Sequence, residues 1–132
     1  MGARETGNFG NDDASDWVYD LQESSGADLL KEAFAAVNGN DYPETPDCCI
    51  ALAAAEIVAS AKGKPPSDLP EDARKWLGNQ EEVDDIKALV KRATSVVNKI
   101  SVKSELRDLW EESDSWHDWQ QVVEGLLRRL HG

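Results

Sequence analysis

The run from Cys48 to Ala59, Cys-Cys-Ile-Ala-Leu-Ala-Ala-Ala-Glu-Ile-Val-Ala, holds eleven apolar residues in twelve. A helix built from it has no face to give to water, so it belongs either at the centre of a soluble bundle or in a membrane. At about 1.5 Å per residue it covers roughly 18 Å, short of the ~20 residues that cross a bilayer. The bundle centre is the expected place, with the other helices wrapped around it. Glu56 is its single charge.

The remaining apolar residues recur at threes and fours, one stripe per segment, which is the signature of helices laid against that centre. Residues 1–12 carry three glycines and no periodicity and read as an irregular lead-in anchored by Phe9. Asn11 or Asp12 can cap a first helix with Ala14, Trp17, Val18 and Leu21 inward, ending near Gly26. A second, over residues 27–37, turns Leu29, Leu30, Ala33, Phe34 and Val37 inward, and the two should form a helical hairpin. Thr45 as cap and Pro46 at the first helical position open the central helix, residues 46–62. A short helix from Pro70 to Leu77 follows, then a long amphipathic one over 83–100. Ser101 or Ser104 can cap a helix over 104–113 that points Leu106, Leu109 and Trp110 inward, and a last helix carries Trp116, Trp119, Val122, Val123, Leu126, Leu127 and Leu130. No segment alternates as a strand would. The expected fold is one all-α domain over residues 1–132, a bundle of six or seven helices around residues 46–62.

Charge narrows the partners. The net charge is −12. Residues 1–47 hold eleven acids against Arg4 and Lys31, whereas residues 48–132 hold fifteen acids against twelve bases. Such a field repels nucleic acid and anionic lipid, attracts cations, and in many proteins serves solubility alone. Adjacent Cys48 and Cys49 are poor geometry for a disulfide, and no signal-peptide pattern or membrane-length run is present, so a reduced cytoplasm is the expected setting.

Three blocks together carry a family likeness: Gly2-Ala3-x-x-Thr6-Gly7-x-Phe9-x-Asn11-Asp12-Asp13-Ala14-x-Asp16-Trp17, then Ala54-Ala55-Glu56-Ile57-Val58-Ala59, then Ser104-Glu105-Leu106-x-x-Leu109-Trp110-Glu111-Glu112-Ser113 with Trp116. Across nearly its whole length the chain resembles a family of uncharacterised bacterial proteins catalogued as domain of unknown function 4259. Arg4 and Glu5 stand where that family usually has Trp and Gly. The resemblance implies no reaction, cofactor or partner.

Four features carry chemistry, each beside a plainer reading. Asp12, Asp13 and Asp16 have the spacing of a Mg²⁺-binding acidic motif, but the first turn of a helix attracts the same residues for capping and dipole reasons. Cys48 lies in a first helical turn, where a thiolate is favoured, yet His117 and His131 are distant in sequence and a buried, inert thiol is the default. Glu56 is either a catalytic acid or a bracket that accepts hydrogen bonds from lead-in backbone N–H groups or a Trp indole; no second catalytic group converges on it, which favours the bracket. The tryptophans at 17, 76, 110, 116 and 119 all fall on apolar stripes and read as core before they read as a ligand site.

Two functions follow. The favoured one is a small acidic interaction protein, an inhibitor or immunity-like partner of a cationic protein, using Asp13, Asp16, Asp20, Glu23, Asp28 and Glu32 as its surface. The alternative is an enzyme or small-molecule or metal binder using Glu56 or the Asp12-Asp13-Asp16 cluster. No cofactor, nucleic acid or membrane is expected.

Overall fold

In a computed structural model, residues 6–131 are described, and α3 (Thr45–Ala61) is the axis of the molecule. From Cys48 to Ala59 every side chain of α3 is buried except the half-buried Ile50. Five alanines, Ala51, Ala53, Ala54, Ala55 and Ala59, are wholly inaccessible, and small side chains let neighbouring helices come close on every side. All the other helices touch α3. These are α1 (Asp12–Gln22), α2 (Asp28–Asn38), α4 (Glu71–Gly78), α5 (Val83–Lys87), α6 (Val90–Val102), α7 (Glu105–Glu111) and α8 (Trp116–His131). The described residues are therefore an all-α bundle, and none of its helices is long and apolar enough to cross a membrane.

Several local expectations need correction. The helix expected over 83–100 is two, α5 and α6, because the chain tightens at Ala88 and Leu89, where the Leu89 N–H donates to Ile86 rather than one residue further back. Ile86, Leu89, Ala93, Val96, Val97 and Ile100 are nevertheless all buried. A tightened turn of this kind preserves the inward rhythm and so leaves no mark in it. With the two counted as one, the described residues form seven helices, within the expected six or seven; counted separately there are eight segments.

The helices α1 and α2 do not form a packed hairpin. After a turn at Gly26, whose φ of +76° suits glycine, each lies against α3, α1 pairing also with α4 and α2 with α6. The central helix takes Thr45 as its first helical residue and not as its cap. The cap position is Glu44, which makes no side-chain capping bond. Capping comes instead from another helix: the Glu105 carboxylate accepts the Thr45 N–H at 2.8 Å, and the Glu105 N–H donates to the Pro43 carbonyl at 3.0 Å. That backbone donor holds the Glu105 carboxyl below its ordinary range. Asn11 does cap α1, its side chain accepting the Ala14 N–H at 2.8 Å, and Ser104 caps α7 by accepting from Arg107 at 3.0 Å.

Leu109, expected to point inward, is 55% exposed. The helix α7 spans only seven residues, buries Leu106 and half-buries Trp110, and leaves Leu109 at its outer edge.

Candidate functional site

The buried acid of α3 sits at a three-way junction. Arg129, in the last turn of α8, places its two terminal nitrogens 2.6 Å from Oε1 and 3.3 Å from Oε2 of Glu56. Asn8, a buried residue of the lead-in, donates its side-chain amide to Oε2 at 2.8 Å. Arg129 also donates to the Lys64 carbonyl at 3.3 Å, and the Lys62 ammonium donates to the Leu130 carbonyl. One carboxylate thereby ties the lead-in, the end of α8 and, through Arg129, the connector after α3.

The partners differ from those anticipated. The lead-in reaches Glu56 by a side-chain amide, not by backbone N–H groups or a Trp indole, and the charge is met by Arg129 of the last helix. An arginine in direct contact but 73 residues away in sequence has no local signature; the hint available was that a buried carboxylate needs a cation. A polar cleft of about 590 Å³ opens beside the junction, bordered by Asn8, Glu56, Asp68, Gln121 and Arg129. Both oxygens of Glu56 already accept hydrogen bonds, Oε1 from Arg129 and Oε2 from Asn8 and Arg129.

The acidic motif does not converge. Asp12 and Asp16 are exposed, whereas Asp13 is half-buried and turned to a separate, apolar cavity. Among the described residues no three or more His, Cys, Asp or Glu side chains gather to hold a metal ion. Of the candidate interaction surface, Asp16, Asp20, Glu23, Asp28 and Glu32 are exposed. Among the described residues, none of these five, nor Asp13, lies within 4.0 Å of a cation, the ion pairs being those of Glu56, Glu71, Asp84, Asp108 and Glu111. They divide between α1 and α2, which are not packed together.

Both cysteines are buried and free. Cys48 donates its thiol weakly to the Pro43 carbonyl at 3.6 Å, and burial pushes it up to about 11 and Cys49 up to about 12. His117 and His131 are exposed on α8. A thiol held neutral is a poor nucleophile. An aromatic disulfide reagent at pH 8 is expected to titrate neither cysteine in the native protein and both in guanidinium chloride; rapid native labelling would show an accessible thiolate.

Of the tryptophans, Trp17, Trp76 and Trp119 are buried, and Trp110 and Trp116 are half-buried against the core. Trp76 donates its indole N–H to the Ser24 carbonyl at 2.8 Å, Trp116 and Trp119 stack with centroids 5.8 Å apart, and Arg107 lies 5.1 Å over the Trp116 ring. One pair escaped the sequence reading altogether. Tyr42 donates its hydroxyl to Asp108 at 2.6 Å, which pushes the phenol up to about 12 and ties the loop before α3 to α7.

Arg4 and Glu5, the departures from the usual opening motif, lie outside the described residues. No curated protein and no solved structure matches the chain. The family of domain of unknown function DUF4259 matches residues 2–122, a span that holds the central helix, Asn8, Glu56 and the capping Glu105 but not Arg129, and the chain belongs to that family.

Proposed function

We propose that this is an acidic interaction domain of the bacterial cytoplasm that docks a cationic protein on the outer face of α1, as an inhibitor or immunity-type partner would. The observation that carries this reading is Tyr19. It is 69% exposed, and it stands on α1 with Asp16 one turn before it, Glu23 one turn after it, and Asp20 beside it. The helix α1 contains no base. An exposed tyrosine within unneutralised carboxylates offers a rigid aromatic contact and a field that selects cations, the combination that anchors charged interfaces. Solubility alone accounts for the acids but not for the aromatic ring among them.

The test is capture from a bacterial lysate followed by kinetics with the purified captured protein. Association should slow steeply as salt shortens the Debye length from ~10 Å at 0.1 M toward ~3 Å at 1 M. The variant Asp16→Lys/Asp20→Lys/Glu23→Lys should keep its helical content and lose at least tenfold in on-rate, and Tyr19→Ala should raise the off-rate. A partner bound equally well by both variants, or independently of salt, would reduce the acidity to a solubility device.

The alternative of an enzyme or small-molecule binder at Glu56 has the polar cleft in its favour. It ranks second because Arg129 and Asn8 occupy the carboxylate. A polar metabolite that raises the melting temperature of the native protein but not that of Arg129→Lys would reverse the order.

A further inference from the structure

Beside Tyr19 the seam between α1 and α4 is open. A groove of about 180 Å³ runs along it, and save for Phe9 its border comes from α1 and the start of α4. The floor is apolar, because Phe9 and Val18 are buried there and Pro70 is half-buried. The rim is polar and exposed, with Ser15, Tyr19 and Gln22 on α1 and Asp72 in the first turn of α4. Such a groove discriminates among side chains. A carboxylate or phosphate would meet Asp72 and the acids of α1, a helix that contains no base. An apolar side chain would cover the floor but strip water from Asp72 and return nothing to it. A lysine would answer the charge, but its compact, strongly hydrated ammonium gains little from stacking. Arginine matches every part: its stem lies on the floor, its weakly hydrated plane stacks on the exposed Tyr19 ring, and its fork of N–H donors finds acceptors in the Asp72 carboxylate, the Ser15 hydroxyl and the Gln22 amide oxygen. The volume agrees, since ~150 Å³ takes a benzene molecule and an arginine side chain is little larger.

We propose that the groove between α1 and α4 is a receptor for an arginine side chain of a cationic protein, held between the Tyr19 ring and the Asp72 carboxylate. The proposal deepens the docking reading of α1 and rests on it for the partner. It adds α4 to the docking face and names the side chain that the face selects, and the groove can be tested without the partner.

Three peptides decide it: acetyl-Gly-Xaa-Gly-amide with arginine, lysine or citrulline at the centre, titrated into the full chain while backbone and side-chain amide resonances are followed by NMR. Citrulline keeps the shape of arginine and removes its charge. The arginine peptide should shift the Tyr19, Gln22 and Asp72 resonances saturably at millimolar concentration and bind about threefold or more tightly than the lysine peptide, and the citrulline peptide should show no saturation. Tyr19→Ala should bring the arginine peptide down to the affinity of the lysine peptide, and Asp72→Asn should weaken it about threefold or more. Both positions are exposed, where folding tolerates the change. Equal affinity for arginine and lysine, absence of saturation by the arginine peptide, or unchanged arginine binding by either variant would overturn the proposal. The outcome is separable from that of the capture experiment. A captured partner that slows with salt and on reversal of Asp16, Asp20 and Glu23, together with equal arginine and lysine binding, would leave the docking face standing and remove its arginine receptor. An arginine preference lost in both variants, together with a captured partner indifferent to salt and reversal, would establish the receptor and remove the docking face.

Discussion

Arg129→Ala is expected to destabilise the protein by about 3–5 kcal/mol, because it strips the cation from a buried carboxylate. For a chain of 132 residues that corresponds to a fall in melting temperature on the order of 10–20 °C. The magnitude comes from the acid that remains and not from the bond that is lost. Arg129 itself keeps 25% of its side-chain surface in solvent and could find water, whereas Glu56 keeps only 2% and must then lie buried with Asn8 as its remaining neutral donor or take up a proton. Glu56→Gln should cost less, about 1–3 kcal/mol, because an amide can still accept from Asn8 and the arginine left behind is partly hydrated. It should also increase protease cleavage within the lead-in, since Asn8 then holds a weaker acceptor. Exchanging both charges, Glu56→Met with Arg129→Leu, should recover most of the stability lost in Arg129→Ala, as buried pairs replaced by apolar residues commonly do. Thermal and urea unfolding of the four proteins measures all of this. Equal stability of wild type and Arg129→Ala would mean that the pair is not formed in solution.

The same junction shows where the sequence stops being readable. That Glu56 would be buried followed directly from its eleven apolar neighbours, and so did the position of α3 at the centre, because a helix without a polar face admits no other arrangement. Which group would meet the acid did not follow. Asn8 is 48 residues away and Arg129 is 73, and each looks locally like something ordinary, a loop amide and a C-terminal base. The same limit hid the Glu105 cap on α3: the sequence offers Thr45 and Pro46 as a conventional start, and only the approach of α7 brings a carboxylate to the Thr45 N–H. Periodicity, similarly, identified the inward residues of α5 and α6 but not the break between them, and it placed Leu109 inward because a stripe says nothing of how far a short helix reaches over its neighbours. Tyr19 gave no periodic signal, and its meaning comes only from its exposure beside Asp16, Asp20 and Glu23.

Trp119→Ala is expected to cost about 3–5 kcal/mol, the range for removing a large buried aromatic ring. Trp119 is 2% exposed, stacks on Trp116, and walls the apolar cavity that Asp13 borders. Its removal has two consequences that compound. The apolar area that the indole keeps from water is lost, and the existing cavity of about 250 Å³ grows beside α3, whose fully buried alanines have no side-chain length with which to fill it. Trp119→Phe should cost appreciably less, since a ring still stacks on Trp116, and Trp116→Ala should also cost less because that indole is only half-buried. Urea unfolding with the slope held common across variants measures the order: Trp119→Ala largest, the other two smaller. Because the enlarged space in Trp119→Ala is apolar, benzene should raise the melting temperature of this variant more than that of the wild type, by binding to the folded form. A Trp119→Ala protein as stable as wild type would show that α8 does not seal this side of the bundle.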